Sequence, residues 1–223
     1  MSRALPPAAV RRMLPLYFVA GTGNTGGELA LLRTLAAALE GGISAFQLRE
    51  KGPGALLGRA RFALALGLRE QCRRRGVPFI VNDDVELALA VEADGVHVGQ
   101  EDAPAAEVRR RLGARLLGVS VHTVDEARRA AAAGADYIGC GPMYATASKP
   151  DARAVAGPAL VRQLRAAGIT LPLVGIGGIT SENAASVTAA GADGVAVISA
   201  ISGASDPRAA AVLLKQAAMS INS

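Results

Sequence analysis

Tryptophan is absent, aromatic residues make up only 3% of the chain, and cysteine and histidine occur twice each. So few aromatics leave little to stack on bases, which argues against a nucleic-acid partner despite a formal charge of +5. The two isolated thiols, Cys72 and Cys140, do not make a disulfide scaffold in a chain of 223 residues and suit a reducing, cytoplasmic setting. No apolar run approaches a membrane span, so no membrane partner is expected. Met13–Ala20, behind Arg3, Arg11 and Arg12, mimics a signal peptide, but its apolar run is short, carries Pro15, and meets a turn at Gly21 with no small-residue cleavage site following, so secretion is not expected. Lysine is scarce as well: of 24 basic residues only Lys51, Lys149 and Lys215 are lysines. The larger arginine clusters, 73–75 and 109–111, fall in amphipathic stretches and read as solvated helix faces.

What is abundant is a regular alternation. With 51% hydrophobic and 19% charged residues, the chain is apolar enough to fold as one sizeable domain. After an irregular N-terminal tail (residues 1–14), the segment 15–223 repeats short β-rich runs and longer Ala/Leu/Arg helical runs. The predicted strands are Leu16–Ala20, Ala45–Leu48, Phe79–Asn82, Gly95–Val98, Leu116–Val119, Tyr137–Cys140, Leu173–Ile176 and Gly194–Ile198. Thr123 with Glu126, Thr180, and Asp206 before Pro207 read as helix starts. Gly41, Gly76, Gly113, Gly134, Gly168 and Gly191 read as left-handed helix ends. Eight strand–helix pairs with near-continuous apolar strands, and no linker between them, predict an α/β, single-domain (β/α)8 TIM barrel.

That architecture divides the motifs. Chemistry gathers at the C-terminal strand ends, and the opposite end reports on stability. Asp94, Asp136 and Asp193, each just ahead of a strand, are therefore assigned to structure. At the other end, Gly21-Thr-Gly-Asn-Thr-Gly26 has the context of a dinucleotide fingerprint, but no acidic residue cleanly ends the next strand, and a plain Gly-rich turn is the better reading. Gln47, Arg49 and Lys51 alternate along one strand face and suit a polyanion such as diphosphate, or else form a solvated charged loop. Asp83 and Asp102 end up at one rim; either could simply cap a helix, yet paired hard oxygens beside a polyanion site suit Mg2+. Ser120 is available to a ligand because Thr123 can cap the next helix. His97 and His122 read as satisfied hydrogen-bonding residues and Cys140 as a small core residue. Thr146, Ser148 and Lys149 lie in a long loop of functional character. Gly175-Ile-Gly-Gly-Ile179, with Ile198 and Ser199, forms the phosphate cup of such barrels.

The rim thus offers two anionic sites. Arg49, Lys51, Asn82, Asp83, Asp102 and Lys149 suit a metal-bound diphosphate, and Gly178, Ile198 and Ser199 suit a phosphate monoester. Two such sites without an obvious nucleophile point to joining two phosphorylated molecules with loss of diphosphate.

Six segments, in order, resemble the thiamine phosphate synthase family: Gln-Leu-Arg-Glu-Lys (47–51), Val-Asn-Asp-Asp (81–84), Gly-Val-His-Val-Gly-Gln-Glu-Asp (95–102), Gly-Val-Ser-Val-His-Thr (118–123), Gly-Pro-Met-Tyr-Ala-Thr-Ala-Ser-Lys (141–149) and Gly-Ile-Gly-Gly-Ile (175–179). Ser148 departs from the family, where threonine is expected, but keeps the hydroxyl. The resemblance implies coupling of 4-amino-5-hydroxymethyl-2-methylpyrimidine diphosphate to hydroxyethylthiazole phosphate, or its carboxylated form, with Mg2+ as cofactor. It implies that Gln47, Arg49, Glu50, Lys51, Asn82, Ser120 and Lys149 hold the pyrimidine diphosphate and that Asp83 and Asp102 carry the metal. Thr146, Ser148, Gly178, Ile198 and Ser199 would hold the thiazole phosphate. Arg49, Lys51 and Lys149 would act electrostatically. The expected partners are small phosphorylated heterocycles, with a homo-oligomer left open. A thiazole tautomerase-like isomerase and a non-catalytic phosphate-binding barrel are the alternatives.

Overall fold

The computed structural model describes residues 6–146 and 154–220, and within them eight parallel strands close into a barrel in sequence order. The strands are β1 (Leu16–Ala20), β2 (Ala45–Leu48), β3 (Phe79–Asn82), β4 (Gly95–Val98), β5 (Leu116–Val121), β6 (Tyr137–Cys140), β7 (Leu173–Ile176) and β8 (Gly194–Val197). Six match the predicted bounds. β5 runs two residues further, placing Ser120 inside the strand, and β8 stops one residue earlier. Closure comes from β1 on β8, with Leu16 opposite Val195. The helices are α1 (Pro7–Arg12), α2 (Glu28–Glu40), α3 (Gly58–Arg74), α4 (Val85–Ala90), α5 (Ala105–Leu112), α6 (Val124–Ala132), α7 (Gly157–Ala166), α8 (Ala184–Ala189), α9 (Ser199–Ser202) and α10 (Pro207–Met219).

Strands buried on both faces give two cores. One lies between the strands and the helical ring, where Phe18, Phe46 and Phe79 meet across β1–β3. The other fills the barrel itself with Tyr17, Ile80, Leu116, Tyr137, Val174 and Ala196. Burial of this apolar surface is the main force closing the ring.

The N-terminal strand ends are fastened four times in the same way. Backbone amides of Leu16, Phe79, Leu117 and Leu173 donate to Ser44 Oγ (2.8 Å), Asp94 Oδ2 (2.8 Å), Asp136 Oδ2 (2.7 Å) and Asp193 Oδ2 (2.8 Å). The three aspartates take the structural role expected of them, and Ser44 is the fourth member that the acidic pattern could not reveal. Asp136 and Asp193 each also hold an arginine. Arg109 donates to Asp136 and to the carbonyls of Gly113, Arg115 and Gly134. Arg165 does the same with Asp193 and the carbonyls of Ile169, Leu171 and Gly191.

Several local expectations change. Arg109 is not part of a solvated face: its fork geometry matches a nest of carbonyls between successive helix and strand ends. Arg73 and Arg74 do sit on the surface, paired with Glu70. Residues 7–12 of the expected tail form α1, because Pro7 starts a turn whose Val10, followed by Met13 and Leu14, packs into the barrel interior. Arg11 ties that helix to Asp193 and to the Thr170 carbonyl. The left-handed residue after α2 is Gly42 (φ 88°), while Gly41 keeps φ −74°. Thr180 does not cap a helix from Ser181; α8 begins at Ala184, and the Asn183 side chain accepts from the Thr180 amide.

Candidate active site

The barrel's C-terminal end opens into a cavity of about 290 Å³. Ten expected site residues line it: Arg49, Lys51, Asn82, Asp83, Asp102, Ser120, Thr146, Gly178, Ile198 and Ser199. Ser148 and Lys149 lie outside the described residues.

The acidic rim owes its shape to a division of labour between neighbours. Asp84, not Asp83, caps α4 by accepting from the Leu87 amide at 2.9 Å, and Arg61 pairs with it. Asp83 is thereby released from capping, adopts a left-handed backbone (φ 62°), and donates its amide to the His97 carbonyl across the β3–β4 seam at 2.8 Å. Left-handed geometry is costly for most side chains but tolerated by Asp and Asn. Asp102 likewise caps nothing; α5 starts after Pro104, and Asp102 accepts from the Gly99 amide at 2.8 Å. Lys51 bridges the pair, in contact with Asp83 and 3.8 Å from Asp102, and Asn82 Nδ2 donates to Asp83 at 2.6 Å.

Two carboxylates this close cannot both ionise freely. Burial pushes Asp83 up to about 6, against the pull of Lys51 and helped by its contact with Asp102. Asp102 is also burdened by burial, yet its bonds from Asp83 and the Gly99 amide, with the nearby positive charge, hold it below the ordinary carboxylate range. The set is all hard oxygen and faces the cavity, which fits a divalent cation that completes its shell from substrate and water. Among the described residues no group of three or more His, Cys, Asp or Glu forms a self-sufficient metal site.

The opposite wall is backbone. Gly178 sits at φ 63°, where a Cβ would lie 2.4 Å from the Ala145 carbonyl oxygen. Met143 and Tyr144 amides donate to the Ile176 and Gly177 carbonyls at 2.9 Å each, and Asn183 Nδ2 donates to the Gly178 carbonyl at 3.1 Å. These bonds set the loop bearing Thr146 beside the glycine turn. Cys140 is buried, and burial pushes its thiol up to about 12, so it stays a neutral packing group.

Two members of the charged segment 47–51 lie elsewhere than expected. Glu50 does not reach the cavity. Its carboxylate accepts from the Thr22 amide and the Leu56 amide, 2.9 Å each, and from the Thr22 hydroxyl. It therefore ties the Gly-rich turn after β1 to the loop after β2; that turn is a short 3-10 helix, Thr22–Asn24. Gln47 lies below the cavity, buried, with Nε2 donating to the Tyr17 hydroxyl at 2.9 Å. From there a file of polar groups climbs the barrel axis. Tyr17 and Tyr137 hydroxyls are 2.9 Å apart, Tyr137 is 3.2 Å from His97 Nδ1, and His97 Nε2 is 2.9 Å from Ser120 Oγ. His97 and His122 are hydrogen-bonded as expected, His122 to Glu126, and both also border the cavity. The two tyrosines were not among the expected site residues, although a single inward-facing hydroxyl in each of the apolar strands β1 and β6 was the available signal.

Residues 16–201 match the family model for thiamine monophosphate synthase. The chain belongs to that family. It is 56% identical over 208 residues to the thiamine-phosphate synthase of Geobacillus kaustophilus, covering 93% of each chain. It is 54% identical over 202 residues to that of Bacillus velezensis, covering 91% of this chain and 89% of the relative. Among solved structures, a thiamine phosphate pyrophosphorylase from Pyrococcus furiosus superimposes with a TM-score of 0.86 at 36% identity, covering 96% of this chain and all of the other. Like the thiamine monophosphate synthases it matches, the chain is a transferase of thiamine biosynthesis, an enzyme that forms thiamine phosphate. Its substrates are accordingly small phosphorylated molecules. Among the described residues no helix is long and apolar enough to cross a membrane.

Proposed function

We propose that the enzyme couples 4-amino-5-hydroxymethyl-2-methylpyrimidine diphosphate to hydroxyethylthiazole phosphate, or its carboxylated form, in a Mg2+-assisted dissociative transfer. The observation that carries this reading is one cavity with a carboxylate pair, Lys51 and Arg49 on one side and the side-chain-free Gly178 turn with Ser199 on the other. Asp83 and Asp102 would hold Mg2+ together with the diphosphate oxygens. Bound there, the metal would neutralise charge gathering on the leaving group.

Arg49 and Lys51 meet the same oxygens from the protein side, with Lys149 joining them by analogy with the family. As the bond between the exocyclic methylene and the diphosphate oxygen breaks, its electron pair leaves with diphosphate. The pyrimidine amino group feeds the electron-poor methylene, and the thiazole nitrogen lone pair forms the new C–N bond. No protein nucleophile is required; orientation and preset charge supply the acceleration. Gly178, Ile198, Ser199 and Thr146, with Ser148, would hold the thiazole phosphate in line with the methylene. Two buried free thiols accord with a cytoplasmic setting.

Incubating the purified chain with both phosphorylated heterocycles tests the reading. Thiamine phosphate and diphosphate are expected in equal amounts with Mg2+ and only slowly after chelation. Product formation at the same rate in chelator would remove the metal, and thiazole isomerisation without coupling would replace the reaction.

A further inference from the structure

The polar file beneath the cavity is not explained by the electrostatics of transfer, because its lower members, Gln47, Tyr17 and Tyr137, do not line the cavity. We propose that Gln47, Tyr17 and Tyr137 are positioning residues that fix His97 as its Nε2–H tautomer, committing the Ser120 hydroxyl hydrogen to the cavity, where it selects a ligand edge bearing an acceptor such as a ring nitrogen.

Counting hydrogens fixes the direction of each bond. A tyrosine hydroxyl has one hydrogen to give, and a neutral imidazole has one N–H and one acceptor nitrogen. Gln47 Nε2 donates to the Tyr17 oxygen. Tyr17 must then spend its own hydrogen on Tyr137, its other hydrogen-bond partner among the described residues. Tyr137, having accepted, spends its hydrogen on His97 Nδ1. The imidazole hydrogen is thereby confined to Nε2 and goes to Ser120 Oγ. An imidazolium would carry a second N–H toward Tyr137 and leave one of the two tyrosine hydrogens without an acceptor. Both hydroxyls are fully buried, and burial raises both well above the ordinary tyrosine range, so each keeps its hydrogen at any working pH.

The packing around the file holds it in register. At Gly118 an added Cβ would lie 2.3 Å from Tyr137 Cζ, 2.4 Å from its hydroxyl and 2.4 Å from His97 Nδ1, so the absence of a side chain there leaves room for that one hydrogen bond. Tyr17 and Tyr137 rings meet at 5.9 Å, and His97 and Tyr137 rings at 5.5 Å, in tilted contacts. Gln100 Nε2 donates to the Ser120 carbonyl at 2.6 Å, fixing the backbone from which the hydroxyl projects. A donor aimed into a partly desolvated pocket discriminates strongly, because a ligand without the matching acceptor leaves it unpaired. The ring nitrogens of a pyrimidine supply that acceptor; this identity rests on the proposed reaction, whereas the tautomer does not.

The experiment has two arms. Nitrogen-15 NMR of the imidazoles is simple with two histidines, and His122→Gln assigns the pair. In the substrate-free protein, His97 is expected as the Nε2–H form, and Tyr137→Phe or Tyr17→Phe is expected to give a mixture. In kinetics, Tyr137→Phe is expected to lower kcat/KM for the pyrimidine diphosphate at least tenfold, leaving KM for the thiazole phosphate within twofold. In a Ser120→Ala background, the same change is expected to cost less than twofold, since the hydroxyl it serves is gone. Nδ1–H in the unaltered protein, an unchanged tautomer in both tyrosine variants, or penalties that simply multiply in the double variant would each overturn the inference. If the unaltered chain failed to couple the heterocycles, the proposed reaction would fall, while the tautomer measurement would still decide whether the file sets the hydrogen.

Discussion

Replacing Asp83 with Asn is expected to make the metal-free protein more stable at neutral pH while abolishing its response to Mg2+. Burial and Asp102 raise Asp83 to about 6 even with Lys51 in contact. Above that pH the folded state carries a carboxylate it would rather protonate. The unfolded chain, with an ordinary carboxylate near 4, carries no such burden. The sign follows: the carboxylate costs nothing below about pH 4, where both states are protonated, and the cost grows until about pH 6 and then stays constant. At about 1.4 kcal/mol per pH interval of one, the full cost is roughly 3 kcal/mol. Because the carboxylate faces a solvated cavity, screening reduces this to about 1–2 kcal/mol. Asn keeps the shape and tolerates the left-handed backbone, so little else changes. Thermal unfolding in chelator at pH 7.5 is expected to show Asp83→Asn melting roughly 3–6 °C higher, with the gap vanishing near pH 4. Added Mg2+ should raise the midpoint of the unaltered protein and not that of the variant. A variant that melts lower at pH 7.5, or a gap that persists at pH 4, would refute the reasoning.

Asp193→Ala removes partners of the Leu173 amide, Arg165 and Arg11 together, and is expected to cost about 3 kcal/mol, read as a fall of roughly 6–12 °C in Tm with KM for both substrates unchanged. Gly178→Ala places a Cβ 2.4 Å from the Ala145 oxygen in a left-handed turn. It should raise KM for the thiazole phosphate at least tenfold and leave that for the pyrimidine diphosphate within twofold; equal effects on both would contradict the division of the cavity.

Most of the barrel was legible because its strands carry near-continuous apolar runs and its helices end in readable turns. The rim followed from topology, since alternate residues past a strand's C-terminal end face the cavity, as Arg49, Lys51 and Asp83 do, and Asp102 joins them from the loop after β4. What escaped depended on geometry between distant segments. Glu50 shares a strand extension with Arg49 and Lys51 but points the other way, and only its distance to Thr22 and Leu56 reveals why. Arg109 looks like any arginine in a basic run until Gly113, Arg115 and Gly134 carbonyls converge on it. Tyr17 and Tyr137 lie 120 residues apart and become a pair only when the ring closes. Helix α1 was missed because its single buried turn depends on packing against the barrel floor rather than on any local pattern.

The four repeated amide fastenings at the floor divide the ring into strand–helix–strand quarters, each secured between sequence neighbours. New chain ends placed between quarters would leave every fastening short in contour length, whereas ends placed inside one would force it to close across nearly the whole polypeptide, a slower step entropically. Circular permutation should therefore be tolerated with a fourfold rhythm around the barrel.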